Sequence, residues 1–127
     1  MDSKTRLISV ICTNEDYASL FNFLEEESYT IQNYSCLEQA VVHKECFNAQ
    51  VALIDSDGEG SQCFDYINDI HEHHPDIRVI LVGDFKNSTF PENIPRIFHF
   101  VRKPFSRNKL CSIIHNAFTM PFGIERR

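Results

Sequence analysis

Short runs rich in apolar and β-branched residues recur along the chain and set the strongest limit on how it can fold. Five such runs are evident: Leu7 to Ile11, Tyr29 to Tyr34, Val51 to Ile54, Val79 to Val82 and Phe98 to Val101. Their length and composition predict β-strands. The third and fourth runs contain no polar residue, so each needs cover on both faces, as the central strands of a parallel sheet do.

Amphipathic helices are predicted between and after these strands. Apolar residues recur at helical spacing in three stretches: Tyr17, Leu20, Phe21 and Leu24; Phe64, Ile67 and Ile70; and Leu110, Ile113, Ile114 and Ala117. Ser35 and Glu38 have the spacing of a capping box, which predicts the start of a further helix. The stretch from Phe85 to Ile97 contains Pro91 and Pro95, so the fourth helix is expected to be irregular or shortened.

The alternation of strands and helices predicts one α/β domain. Its order favours a doubly wound (βα)5 architecture, in which a parallel five-stranded sheet carries helices on both faces. Residues 1–120 are assigned to this domain, and residues 121–127 to a C-terminal tail or the start of a linker. A chain of 127 residues is long enough for one such core and too short for two ordinary domains.

Composition argues against several classes of function. Twelve lysines and arginines against 18 aspartates and glutamates give a formal net charge of −6, which argues against direct binding of nucleic acid. No apolar run reaches membrane-spanning length and the first residues lack a signal-like apolar stretch, so we expect a cytoplasmic protein that does not bind a membrane. The five cysteines include no Cys-x-x-Cys pair, which favours free thiols.

Candidate functional residues gather where the predicted strands end. In parallel sheets of this kind, function concentrates at the carboxyl ends of the strands. The residues at those ends are Cys12, Thr13 and Asn14, Asp55, Gly83 and Asp84, and Lys103. The carboxylate of Asp55 and the ammonium of Lys103 are therefore expected to meet at one edge of the sheet.

Three pieces of the sequence resemble the receiver domains of bacterial two-component response regulators, which have a CheY-like, flavodoxin-like fold. Val51 to Asp55 is similar to the third strand of that family, which ends in the aspartate that accepts a phosphoryl group, and Asp55 to Ile70 follows the family's loop and helix without a gap. Phe100 to Phe105 is similar to the fifth strand with its Lys-Pro signature. The resemblance covers nearly the whole chain.

The resemblance implies a role for each residue that matches the family's motifs. Asp55 matches the phosphoacceptor, Lys103 the lysine that pairs with the phosphoryl group, and Asp57 the position whose backbone carbonyl helps to hold magnesium. The chemistry is attack by a carboxylate oxygen on phosphorus, while a divalent metal and an ammonium neutralise the charge that develops on the oxygens.

The departures from the family pattern fall on the metal and reporter positions. The family's acidic pair falls on Cys12 and Thr13, and its serine or threonine, whose hydroxyl bonds the phosphoryl group, falls on Gly83. Its aromatic switch residue falls on Phe100, and its proline falls on Glu59. Neutral side chains in place of the acidic pair weaken a magnesium site, because Mg²⁺ binds hard oxygen ligands.

This combination resembles a degenerate receiver, or pseudo-receiver. It predicts a signalling domain of a response regulator that regulates transcription or motility. Such a domain is expected to act by contacting a protein partner, an effector domain or a second copy of itself. We expect no enzymatic activity, cofactor or metal. The alternative is an active receiver that a histidine kinase phosphorylates on Asp55 with the help of magnesium. A third hypothesis is a flavodoxin-like binder of a small molecule, but the loops of this chain lack the glycine pattern that holds phosphate.

A shorter resemblance points to one kind of regulator. Ile80 to Asp84, Phe90 to Glu92 and Asn108 to Leu110 are similar to the N-terminal regulatory domain of flagellar master regulators, which are enhancer-binding transcriptional activators. That resemblance would place an ATPase and a DNA-binding domain after this domain in the parent protein.

Two further features have competing interpretations. The run from His71 to His74 invites a zinc site, but its spacing favours a solvated helix end before Pro75. Cys12 is either a redox thiol beside Lys103, where a cation would favour the thiolate, or a small residue that fills a vacated metal pocket.

The phenylalanines near the fifth strand predict a contact surface. Phe98, Phe100 and Phe105 are expected to form an exposed apolar patch, and such patches often bind partners. The resemblance supports this placement, because receiver domains pair through that face.

Overall fold

A five-stranded, all-parallel sheet organises the chain. The computed structural model describes residues 6–12, 21–43, 49–58, 63–84 and 97–119. The strands are β1 (Leu7–Ile11), β2 (Thr30–Tyr34), β3 (Val51–Asp55), β4 (Arg78–Gly83) and β5 (His99–Arg102). Their spatial order is β2-β1-β3-β4-β5, which is the order of a flavodoxin-like doubly wound sheet. The predicted fold class is therefore confirmed.

Three α-helices and two short 3₁₀ helices lie within the described residues. The α-helices are α1 (Leu37–His43), α2 (Cys63–His73) and α3 (Arg107–Thr119), and the 3₁₀ helices are Asn22–Glu27 and Ser56–Gly58. None of the described helices is both long and apolar enough to cross a membrane. Most of the first predicted helix and nearly all of the Phe85 to Ile97 segment lie outside the described residues, as do residues 121–127.

The start of α1 differs from the predicted capping box. The backbone N–H and the hydroxyl of Ser35 both donate to Gln39 Oε1, at 2.9 and 3.0 Å, so the partner is Gln39 and the prediction of Glu38 was wrong. The helix begins at Leu37, one residue later than the spacing implied. Gln39 therefore occupies the third helical position, from which a side chain reaches back to the helix start.

Alternate residues of the central strands pack into two separate cores, one on each face of the sheet. Leu53 and Ile80 lie in a cluster with the buried residues of α3, Leu110 among them. Ala52 and Leu81 lie in the other cluster, together with buried residues of α1 and α2. Because successive side chains of a strand point to opposite faces, this division confirms that β3 and β4 are covered on both sides.

The edges of the sheet are more polar than its centre. Every residue of β3 is buried, whereas β2 exposes Thr30 and Asn33. On the other edge, β5 exposes Phe100 and Arg102. The centre of the sheet thus carries most of the hydrophobic stabilisation, and the edges contribute less.

A matched pair of valines tests this division. Val79 in β4 is fully buried, whereas Val42 in α1 is 69% exposed. Val79→Ala should lower the free energy of unfolding by about 2 kcal/mol, because it removes buried methyl groups and leaves a cavity. Val42→Ala should change it by less than about 0.5 kcal/mol. Urea denaturation followed by circular dichroism measures both, and equal losses would contradict the assignment of the core.

Candidate functional site

Three strand ends meet at the carboxyl edge of the sheet. Asp55 is the last residue of β3 and pairs in register with Val82 of β4. Lys103 directly follows β5, and its backbone N–H donates to the Gly83 carbonyl at 2.9 Å, which extends the β4–β5 pairing past the end of β5. The predicted approach of Asp55 and Lys103 therefore follows from the topology.

Asp55 is a buried carboxylate with three hydrogen-bond donors around it. The residue is 1% exposed. Its Oδ2 accepts from Lys103 Nζ at 2.8 Å and from Cys12 Sγ at 3.4 Å, and its Oδ1 accepts from the Asp57 backbone N–H at 3.0 Å. These contacts compensate a charge that would otherwise be costly to bury.

The Lys103 ammonium is shared between two carboxylates. Besides Asp55, Nζ lies 3.0 Å from Asp57 Oδ2, and the lysine side chain is 10% exposed. Burial on its own would lower the pKa of Lys103, but the hydrogen bonds and charges of Asp55 and Asp57 outweigh it and raise this pKa above its ordinary value of 10.5. The stabilisation from the ammonium is therefore fully present below pH 10.5 and is lost only as the pH rises through the raised value.

The Asp57 side chain is a member of the site that the sequence did not reveal. The family resemblance implies a role only for its backbone carbonyl, yet its two carboxylate oxygens accept from the Asp84 backbone N–H at 3.1 and 3.2 Å. The same carboxylate contacts Lys103. The one available signal was an aspartate two residues after a strand-ending aspartate, which is a common turn-forming position.

Cys12 lies at the same oxygen of Asp55 as Lys103 does. The residue is 5% exposed, and its thiol donates to Asp55 Oδ2. This contact uses the protonated thiol, whereas redox chemistry needs the thiolate. The geometry therefore favours the reading of Cys12 as a small residue that fills the pocket.

The predicted aromatic patch is wrong for two of its three members. Phe100 is 37% exposed, but Phe98 and Phe105 are partly buried against the core. Phe105 also stacks on Phe21 with ring centroids 6.0 Å apart. Aromatic rings beside an uncovered edge of the core have a lower free energy when they pack on it than when they face water, which explains why Phe98 and Phe105 are partly buried.

The other predicted residues have simpler settings. Gly83 is buried at the end of β4, and His73 Nδ1 lies 3.0 Å from the Asp69 carbonyl on the exposed last turn of α2. Within the described part of the chain, no group of three or more His, Cys, Asp or Glu residues could hold a metal ion. Thr13 and Glu59 lie outside the described residues.

Comparisons with known proteins bear on the fold. No protein-family model matches the sequence, and no curated protein matches it. Among solved structures, a response regulator receiver domain protein from Clostridium thermocellum matches with a TM-score of 0.74 and 20% identity, over 87% of this chain and 92% of that one. The response regulator TrrA from Thermotoga maritima, in complex with Mg²⁺-BeF, matches with a TM-score of 0.76 and 19% identity, over 89% and 99%.

The chain has the fold of a response regulator receiver domain. An orphan response regulator of H. pylori shares it, with a TM-score of 0.73 and 16% identity over 91% of this chain and 98% of that one. In this fold, Asp55 is the last residue of β3 and Lys103 directly follows β5.

A double-mutant cycle tests whether Asp55 and Lys103 stabilise the receiver fold as a pair. Lys103→Met leaves a buried carboxylate short of its cation and should lower the free energy of unfolding by about 3–5 kcal/mol. Adding Asp55→Asn should recover about 1–3 kcal/mol of that loss, because the two side chains are in contact. Chemical denaturation at neutral pH measures the four proteins.

Lys109→Met is the matched control for that cycle. Lys109 is an exposed lysine of α3, so removing its charge should change the free energy of unfolding by less than about 0.5 kcal/mol. Strict additivity of Lys103→Met and Asp55→Asn would show that the ion pair makes no stabilising contribution of its own.

Proposed function

We propose that this chain is a receiver-like signalling domain that acts through protein–protein contacts and does not depend on magnesium-driven phosphorylation of Asp55. The observation that carries the proposal is that hydrogen-bond donors of the chain itself already contact the carboxylate of Asp55. Both of its oxygens already accept hydrogen bonds, from Lys103, Cys12 and the Asp57 N–H. The buried ion pair would then hold the domain in one fixed signalling state.

The chemistry of the pocket supports a metal-independent role. Phosphoryl transfer to a carboxylate relies on cations that neutralise the phosphoryl oxygens. Here Lys103 supplies one positive charge, but it is already paired with two carboxylates. A neutral thiol at Cys12 offers Mg²⁺ a poor ligand at the position where the family has a carboxylate.

The partner of such a domain is a protein. A likeness to the N-terminal domain of a response regulator/sensory box/GGDEF 3-domain protein supports coupling to a neighbouring effector domain, and a second copy of the chain is the other candidate. Phe100, exposed on the edge strand β5, is a contact residue in this proposal. The output is control of transcription or motility in the cytoplasm, and the domain is proposed to have no enzymatic activity towards a diffusible substrate.

The second candidate is an active receiver. It is favoured by one observation, the 2.8 Å contact between Asp55 and Lys103, because a phosphoacceptor aspartate needs a cation beside it. In that case a histidine kinase would phosphorylate Asp55, with Mg²⁺ bound despite the neutral residue at Cys12.

Incubation with acetyl phosphate and Mg²⁺, followed by intact-mass measurement, separates the two candidates. The wild-type chain should show no phosphoryl adduct, because its pocket lacks the acidic pair. The variant Cys12→Asp/Thr13→Asp restores two carboxylates and should acquire a magnesium-dependent adduct, which Asp55→Asn should abolish in that background. A wild-type adduct that needs magnesium and disappears in Asp55→Asn would establish the active receiver instead.

A further inference from the structure

Two nitrogen donors from different strand ends converge on the carboxylate of Asp57. Lys103 Nζ, beyond β5, lies 3.0 Å from Oδ2. The backbone N–H of Asp84, beyond β4, donates to both oxygens, at 3.1 and 3.2 Å. The Asp57 side chain is 39% exposed, so hydrophobic burial does not explain its position. Polar contacts hold it there.

This pair of donors is suited to an oxyanion. An ammonium and a backbone N–H that point at one place are groups with which proteins bind phosphate and similar anions. In this chain, the anion that they hold is a side chain of the same molecule. It is tethered close by, because Asp57 follows Asp55 by two residues and its N–H bonds Asp55 Oδ1. A tethered group competes at a high effective concentration with any free ligand.

We propose that Asp57 is a built-in anion that occupies the oxyanion donors beside Asp55 and thereby weakens the binding of free phosphate at the site. This inference rests on the proposed function, since it names the group that occupies the donors of that same site while no phosphate is bound. Charge acts in the same direction. The side chains of Asp55, Asp57 and Lys103 are in contact as two carboxylates and one ammonium, so an incoming anion meets a net negative charge.

A phosphate titration of the ¹⁵N-labelled full chain tests the proposal. Inorganic phosphate is added at constant ionic strength, and the amide resonance of Asp84 is followed by NMR. Asp57→Ala removes the carboxylate that the Asp84 N–H and Lys103 Nζ contact, leaves the Lys103–Asp55 pair in place, and removes one negative charge. Phosphate should therefore bind at least about tenfold more tightly than to the wild-type chain. The Asp84 amide should move in a saturable manner in this variant, because phosphate would replace its present acceptor.

Two further variants make the result specific. Asp57→Asn removes the charge but keeps an oxygen acceptor for the Asp84 N–H, so its phosphate affinity should lie between those of the wild type and Asp57→Ala. Asp76→Ala makes the same change in net charge at an exposed residue just before β4, at the amino end of the strands, and should bind phosphate as the wild type does. If Asp57→Ala fails to fold, Asp57→Asn carries the test alone.

The outcomes separate this proposal from the proposed function. If neither Asp57 variant binds phosphate more tightly than Asp76→Ala, Asp57 does not guard the donors and the proposal is overturned, whatever the acetyl phosphate experiment shows. If the wild type is phosphorylated on Asp55 but Asp57→Ala still gains phosphate affinity, the proposed function fails while the guarding role of Asp57 stands.

Discussion

A carboxylate with almost no access to water determines how the carboxyl edge of this sheet is built. Asp55 ends a strand that is buried along its whole length, and a buried carboxylate carries a penalty of several kcal/mol, to order of magnitude, unless cations and donors surround it. The neighbouring strand ends must therefore supply the compensation. Lys103 after β5 and Cys12 after β1 supply part of it, which is possible because parallel strands bring their carboxyl ends to one edge.

Elements with a simple apolar pattern, either an uninterrupted run or a helical period, could be predicted from the sequence. The apolar runs of β3 and β4 and the apolar face of α3 with Leu110 and Ala117 lie where the pattern placed them. The start of α1 could not be predicted to the residue, because a shift of the helix start by one residue decides whether Glu38 or Gln39 reaches Ser35. Apolar periodicity contains no information on that shift.

The same distinction applies within the site. The approach of Lys103 to Asp55 could be predicted, because strand order alone brings the two residues to one edge. The role of the Asp57 carboxylate could not be predicted, because it depends on a short 3₁₀ turn at Ser56–Gly58 and on the backbone N–H of Asp84. Every residue except proline has a backbone N–H, so the sequence gives no signal for this contact. The burial of Phe105 likewise depends on the position of Phe21, a partner far away in the sequence.

The two outer strands bear on how the folded chain meets other molecules. Unpaired backbone groups at the rim of a sheet are a template for strand-to-strand aggregation, and proteins oppose it with short outer strands and hydrophilic or basic side chains. Here β5 is four residues long and exposes Arg102 as well as Phe100, and β2 exposes Thr30 and Asn33. The rims therefore disfavour backbone pairing with a second sheet, so a partner of the proposed kind would be recognised through side chains, whose chemistry can distinguish one partner from another.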